Sequence, residues 1–241
     1  MQAKAIKHIL KQTHQTYNLI AGDFSETRSK WWQGFGDLAK YVKAGYKVLD
    51  VGCGNGRMAE LFLDSKVNYL GLDDSQNLIK IAKDKFKDYK QIEFEVANAL
   101  DFKVAAKYDL ALCIAVLHHI PSHPYQLKAL MNIADSLKPG GKLIISTWNL
   151  FKWDYFNRYG LSLFNLKNKI KYGVWSFNDF FVPWKKTGPV QARYAHSFTK
   201  SELKKLLIQA GFEIEEIYFK NGLKKVSMLA GKNLFAIAVK K

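Results

Sequence analysis

A short apolar segment, residues 47–51, runs directly into a loop with glycine at every second position: Gly52, Gly54 and Gly56. A second apolar run, 68–72, ends at Asp73. Glycine allows a tight turn and leaves the backbone bare where a ligand must come close. A strand, a glycine turn and an acid after the next strand form the arrangement in which an open parallel sheet holds a nucleoside cofactor at its carboxyl edge. The feature therefore demands a parallel sheet.

The following hundred residues supply one. Apolar strand-like runs at 47–51, 68–72, 92–96, 110–116 and 142–147 alternate with helix-like stretches at 58–63, 76–86 and 124–137. Lys138-Pro139-Gly140-Gly141 gives the last helix a strong stop. Such alternation predicts helices on both faces of a parallel sheet. Ahead of it, residues 3–20 carry Ile6, Ile9, Leu10, Tyr17 and Ile20 at helical spacing, and a shorter helix is predicted over 30–42. After it, residues 151–195 hold 13 of the chain's 34 aromatics and follow no simple period. We read them as an insert packed over the carboxyl edge. Thr199-Lys200-Ser201-Glu202 then makes a capping box for a helix ending at Gly211. Strands at 212–219 and 233–239 are predicted to pair antiparallel. The expected fold is α/β and Rossmann-like: a seven-stranded, mostly parallel sheet with an antiparallel C-terminal strand and helices on both faces. Its expected parts, within one domain, are a helical cap (1–46), a cofactor-binding core (47–150), an aromatic and basic insert (151–195) and a C-terminal helix with strands (196–241).

The net charge of +16 is unevenly placed. Residues 47–150 hold 13 basic and 12 acidic side chains, whereas 1–46 hold 7 and 3, 151–195 hold 8 and 2, and 196–241 hold 9 and 4. A neutral core with basic flanks suits a polyanionic partner. No apolar run approaches the ~20 residues of a membrane span, and no apolar segment follows Lys4, Lys7 and Lys11 as a secretory signal would require. Neither Cys53 nor Cys113 belongs to a CxxC pair, so no metal site is expected. The expected location is the reducing cytoplasm, away from membranes.

Glycine spacing separates two cofactors. Dinucleotide sites use G-x-G-x-x-G. Here the order is G-x-G-x-G, preceded by Asp50. This resembles the first motif of class I S-adenosylmethionine (SAM) methyltransferases, where an acid suits the cationic amino-acid end of SAM and would repel a pyrophosphate. The resemblance implies cofactor contacts at Tyr17, Asp50, Gly52, Cys53, Gly54, Gly56, Asp73, Asp74, Asn98, Ala99 and Ala115. The product would be S-adenosylhomocysteine. Asn98 stands where Asp is usual for adenine, and its carbonyl can still accept from the exocyclic amine. His118 and His119 follow the fourth strand, and His118 is expected near the cofactor sulfur.

Four stretches resemble a narrower family. These are residues 20–28 with Trp32, residues 49–57, Phe181-Val182-Pro183-Trp184-Lys185, and Arg193-Tyr194-Ala195-His196-Ser197-Phe198 with Glu202 and Leu203. They resemble the tRNA methyltransferases that esterify a carboxymethyl group on wobble uridine, together with the methyltransferase domain of the AlkB-like tRNA-modification proteins. Ala195 stands where that family usually has tyrosine. The resemblance implies O-methylation of a carboxylate on the tRNA anticodon stem-loop. Such an acceptor, with a pKa near 4, is already anionic and needs no general base. It needs arginine forks and a dry aromatic wall. Arg28 and Arg193 are the candidates, with Tyr194, His196 and His118 beside them. Trp153 or Trp184 is expected to stack on a base, and the lysines at 167, 169, 171, 185 and 186 to meet phosphates. The family also brings a candidate partner, a small zinc-binding activator subunit. Two alternatives stay open: a methyltransferase for small molecules such as quinone precursors, and a SAM-binding RNA-binding protein without turnover.

Overall fold

The computed structural model describes residues 1–28, 35, 38, 40–185 and 189–241. Trp32, Lys186 and most of the helix expected over 30–42 lie outside them. Among the described residues, the main sheet has eight strands in the order β3-β2-β1-β4-β5-β10-β8-β9. These are β1 (Lys47–Val51), β2 (Asn68–Asp73), β3 (Ile92–Val96), β4 (Tyr108–Ile114), β5 (Leu137–Trp148), β8 (Phe212–Asn221), β9 (Lys224–Val226) and β10 (Asn233–Lys240). Strands β1 to β5 run parallel, and β10 lies antiparallel between β5 and β8. The expected antiparallel pair is β8 and β10. The strand beyond the expected seven is β9, three residues long, made where the chain after Asn221 folds straight back onto β8.

Period-two burial builds the two faces. In β1, Val48 packs on one side of the sheet with Leu110, Leu112, Ile144 and Phe235. Leu49 and Val51 pack on the other with Ala111, Leu143 and Ile145. Helix α3 (Gln76–Lys85) covers the first face through Ile79 and Ala82. The second is covered by α4 (His123–Ser136) through Leu130 and Ile133, and by α7 (Lys200–Gln209) through Leu203, Leu206 and Leu207. Each such leucine or isoleucine contributes about 1.5–3 kcal/mol by leaving water. Phe35 and Leu38 are buried on the first face, Phe35 lying 5.1 Å from Phe235.

Two local expectations change. The α-helix predicted over 58–63 is a 3-10 helix, Ala59–Ser65. Seven residues at a rise of ~2.0 Å span more of the sheet than they would at ~1.5 Å, which suits a short crossover. The strand predicted over 142–147 begins at Leu137 and takes the Lys138-to-Gly141 stop signal into its own irregular start. The Thr199 cap is present, its Oγ1 accepting from Glu202 N at 3.2 Å.

Outside the main sheet, α1 (Ala3–Leu19) and α2 (Ala21–Thr27) precede β1. After β5 comes a helical turn, α5 (Trp153–Tyr155), that widens into a π-turn over Phe156–Gly160. Then follow α6 (Leu163–Tyr172) and a separate hairpin of β6 (Asp179–Trp184) and β7 (Gln191–His196). Phe181 and Tyr194 of the hairpin pack with Ile9 of α1. Among the described residues no helix is long and apolar enough to cross a membrane.

Candidate functional site

The carboxyl ends of β1, β2 and β4 frame a cavity. The glycine loop shapes it because side chains do not fit there. Gly52 has φ +79°, and a Cβ would collide with Val116 Cγ2. At Gly56, φ +74°, a Cβ would sit 2.7 Å from Phe94 Cζ. Asp73 pins the loop: Oδ2 accepts from Gly54 N and Oδ1 from Ser75 N, both at 2.9 Å. Burial raises its pKa to about 6. Asp50 is 1% exposed. Its Oδ2 accepts from the Tyr69 hydroxyl at 2.6 Å, while Oδ1 is buried with no hydrogen-bond partner among the described residues. Burial drives its pKa up to about 7 against the opposing pull of the Tyr69 bond. A buried carboxylate with an empty lone pair suits a cation.

Helix α1 roofs this cavity through Leu10, Thr13 and Tyr17, three positions on one helical face. Asn18 ties the helix to the start of α3, accepting from Ser75 Oγ at 3.1 Å and, through its carbonyl, from Asn77 Nδ2 at 2.9 Å. At the far end Asn98 Oδ1 accepts from Leu100 N at 2.9 Å, and Nδ2 donates to Asp74 Oδ2 at 3.3 Å. Both partners fix the amide's orientation. An Asp at 98 would set two carboxylates together, which is why an amide fits here.

A second cavity, about 480 Å3, adjoins the first. Arg28 and Trp148 line both. Arg193, Lys220, Lys232, Tyr155 and Tyr159 are among its other polar and aromatic lining residues, and no acidic residue lines it among the described residues. The two arginines converge on one ring: Arg28 Cζ lies 5.2 Å and Arg193 Cζ 5.0 Å from the centre of Trp184. Arg28 also lies over Phe24 at 4.5 Å, and Arg193 over Trp148 at 4.9 Å. Arg193 is 6% exposed, and its Nε and Nη1 are buried without a hydrogen-bond partner among the described residues. A cavity that gathers three aspartates, with Arg28 and Arg57 also on its wall, thus meets an acid-free, base-lined one across a shared wall.

The family described as Methyltransferase domain matches residues 24–217. The chain belongs to it. The tRNA (carboxymethyluridine(34)-5-O)-methyltransferase of Schizosaccharomyces pombe is 28% identical over 231 residues, covering 88% of this chain and 92% of that one. Mouse tRNA (carboxymethyluridine(34)-5-O)-methyltransferase ALKBH8 is 35% identical over 139 residues, 57% of this chain. The match spans 20% of the mouse protein and 33% of an Arabidopsis thaliana relative of the same activity name. A chain from the complex of the Haloferax volcanii Trm112 methyltransferase activator with a methyltransferase superposes with a TM-score of 0.67. It is 14% identical, with 94% of this chain and 96% of that one covered, a likeness of fold alone.

In this methyltransferase domain the acid-lined cavity gathers Tyr17, Asp50, Gly52, Cys53, Gly54, Asp73, Asp74, Asn98, Ala99 and Ala115. Gly56 is absent from its wall and instead lets the loop close onto Phe94 and Phe86. His118 is also absent. It is fully buried between His119 and Trp148, with Nδ1 accepting from Trp148 N at 3.3 Å, and burial holds it well below its usual pKa. His119 takes the wall position instead.

Tyr194 and His196 lie away from both cavities because β7 alternates. Arg193 faces the acceptor side, so its neighbour must face the other way. The Tyr194 hydroxyl donates to Asp179 Oδ1 at 2.6 Å. His196 meets the same Asp179 oxygen through Nδ1 at 2.6 Å and Glu202 Oε1 through Nε2 at 2.8 Å. Burial alone would lower the His196 pKa, but the two carboxylates raise it to about 9. This network clamps β7 to β6 and α7. Trp184, buried between guanidiniums, is closed to a base, whereas Trp153 is 68% exposed. Lys167, Lys171 and Lys185 are exposed, and Lys169 donates to the Ser176 carbonyl at 2.9 Å. Among the unforeseen wall residues are Arg57, His119 and Trp148. Trp148 ends β5 at the carboxyl edge, a position that a strand-end rule could have singled out.

Proposed function

We infer that this chain is a SAM-dependent tRNA methyltransferase that esterifies the carboxylate of a carboxymethyl-type modified wobble uridine. The observation that carries the reading is the meeting of Arg28 and Arg193 in an acid-free cavity beside the acid-lined one. The empty Asp50 Oδ1 suits an ammonium group, and Asp73 suits a ribose. Asp50, Asp73, Asn98 and Tyr17 would hold SAM, which supplies an electrophilic methyl group when bound. Arg28 and Arg193 hold the acceptor carboxylate by charged hydrogen bonds and orient one oxygen for attack. Trp148 and Trp184 keep water from it. No residue has to remove a proton, because the acceptor arrives ionised.

Residues 47–150 serve as the donor core, and 1–46 as its cap. The insert 151–195 receives the anticodon stem-loop, with Trp153 exposed for stacking and its lysines on phosphates. Residues 196–241 complete the sheet. A tRNA acceptor carries the expectation of a cytoplasmic enzyme, and an activator subunit of the Trm112 kind is a candidate partner. The test is nucleoside mass spectrometry of tRNA from cells with and without the gene. Loss of the wobble-uridine methyl ester, with its free acid accumulating, is expected. Unchanged ester would overturn the reading, and methyl transfer to a quinone precursor that ignores tRNA and salt would establish the small-molecule alternative.

A further inference from the structure

The two acceptor arginines sit on different elements, Arg28 just after α2 and Arg193 on β7, and neither belongs to the main sheet. Each is tied to the donor loops through a main-chain carbonyl. Asn55, inside the glycine loop, donates from Nδ2 to the Arg28 carbonyl at 3.2 Å. His119, in the turn after β4, meets the carbonyl of Tyr194 through Nδ1 at 2.6 Å, one residue beyond Arg193. A carbonyl oxygen only accepts, so the His119 proton sits on Nδ1. Burial pushes the His119 pKa down to about 3, which leaves the ring neutral and Nε2 an acceptor. Nε2 takes the Tyr17 hydroxyl at 2.8 Å. The result is a chain of one direction, from Tyr17 through His119 to β7. Its first members line the donor cavity, and its last lies beside an acceptor arginine.

We propose that His119 and Asn55 are positioning residues that set the acceptor arginines from the donor side of the site. The inference rests on Arg28 and Arg193 being the carboxylate clamp. Asn55 lines neither cavity and His119 lines only the donor cavity, so each acts on the acceptor through another residue. Arginine hydrogen bonds are directional, and a shift of about 1 Å in their anchor costs roughly a hundredfold in rate.

The two bonds of His119 can be separated. His119→Gln places an amide oxygen near the Nε2 position, which keeps an acceptor for Tyr17 but leaves the Tyr194 carbonyl without its donor. His119→Asn keeps a donor near Nδ1 and leaves the Tyr17 hydroxyl without its acceptor. SAM affinity is measured by calorimetry, and kcat and KM with tRNA carrying unmethylated carboxymethyluridine at the wobble position. In His119→Gln, kcat is expected to fall about tenfold or more, with SAM affinity held within about threefold. His119→Asn should recover much of that turnover at saturating SAM while binding SAM more weakly. Asn55→Ala, which touches no cavity, should follow His119→Gln. Parallel losses of affinity and turnover in both His119 variants would overturn the proposal, as would undiminished turnover in His119→Gln and Asn55→Ala. An Arg193→Ala control separates the two levels. Full turnover in Arg193→Ala overturns the clamp itself, whereas a crippled Arg193→Ala beside an unimpaired His119→Gln overturns only the positioning.

Discussion

Asp50→Asn probes the donor cavity at its most deeply buried carboxylate. Burial raises the Asp50 carboxyl from an ordinary 3.8 to about 7. That rise corresponds to roughly 4 kcal/mol. Because the folded value is the raised one, the stability linked to this group is complete below about pH 4 and is lost as pH rises through about 7. A cation bound at Oδ1 reverses that cost and pulls the pKa down, so binding below neutral pH expels a proton. The amino group of the cofactor loses its own charge near pH 7.8. Affinity for SAM should therefore trace a bell with its maximum near pH 7.5. Between pH 7.5 and 5.5 most of the ionised form of Asp50 is lost, so affinity should fall by about an order of magnitude. Asp73, at about 6, steepens the same acid limb. The assay is calorimetric titration with SAM from pH 5.5 to 8.5 in two buffers of different ionisation heat. Asp50→Asn should bind about tenfold more weakly at pH 7.5 yet approach the parent at pH 5.5, and should release fewer protons near pH 6.5 than the parent, Asp73 alone remaining to titrate there. A parent affinity that stays flat from pH 5.5 to 7.5, or a variant whose acid limb is as steep as the parent's, would refute the reasoning.

Other parts of the site make separate predictions. Arg193→Ala should lower turnover on tRNA by about a hundredfold and leave SAM affinity within about threefold, read by transfer of labelled methyl. Gly52→Ala forces a Cβ against Val116 at positive φ; a cost of about 2 kcal/mol should lower Tm by roughly 4–8 °C in a melt followed by circular dichroism. The His196 pKa is raised to about 9, so its ion pairs stabilise fully below about 6.5 and fail as pH rises through about 9. The urea midpoint of the parent should accordingly fall between pH 7 and 10 more than that of His196→Ala, by up to about 3 kcal/mol in unfolding free energy. Binding to tRNA should weaken about a thousandfold between 50 and 200 mM salt for a footprint of six phosphates, measured by filter binding.

The parallel core was legible because strand and helix each impose a period and the glycine loop marks where they meet. The insert was not, since 151–195 packs a π-turn, one short helix and a hairpin, each too brief to establish a period. Residues 193–198 read as a motif, and a motif treats neighbours as partners. A strand does the opposite and sends Arg193 and Tyr194 to opposite sides. Nothing in the His118-His119 pair distinguishes the ring held in the core from the ring that lines the cavity, because that choice depends on how β7 docks against the turn after β4. Asn98 in place of Asp is explained only by Asp74 lying across from it.

The wall shared by Arg28 and Trp148 separates the cavity that holds the three aspartates from one that holds no acid among the described residues. In the proposed transfer a sulfonium and a carboxylate enter, and a thioether and an ester leave. Both charges vanish in the same step. The guanidiniums that gripped the acid then face an uncharged group from which they gain little, and the tRNA loses its hold at the moment it has been modified. Discharge of the site would thus double as its release mechanism, and the free acid would outcompete the finished ester for the same cavity.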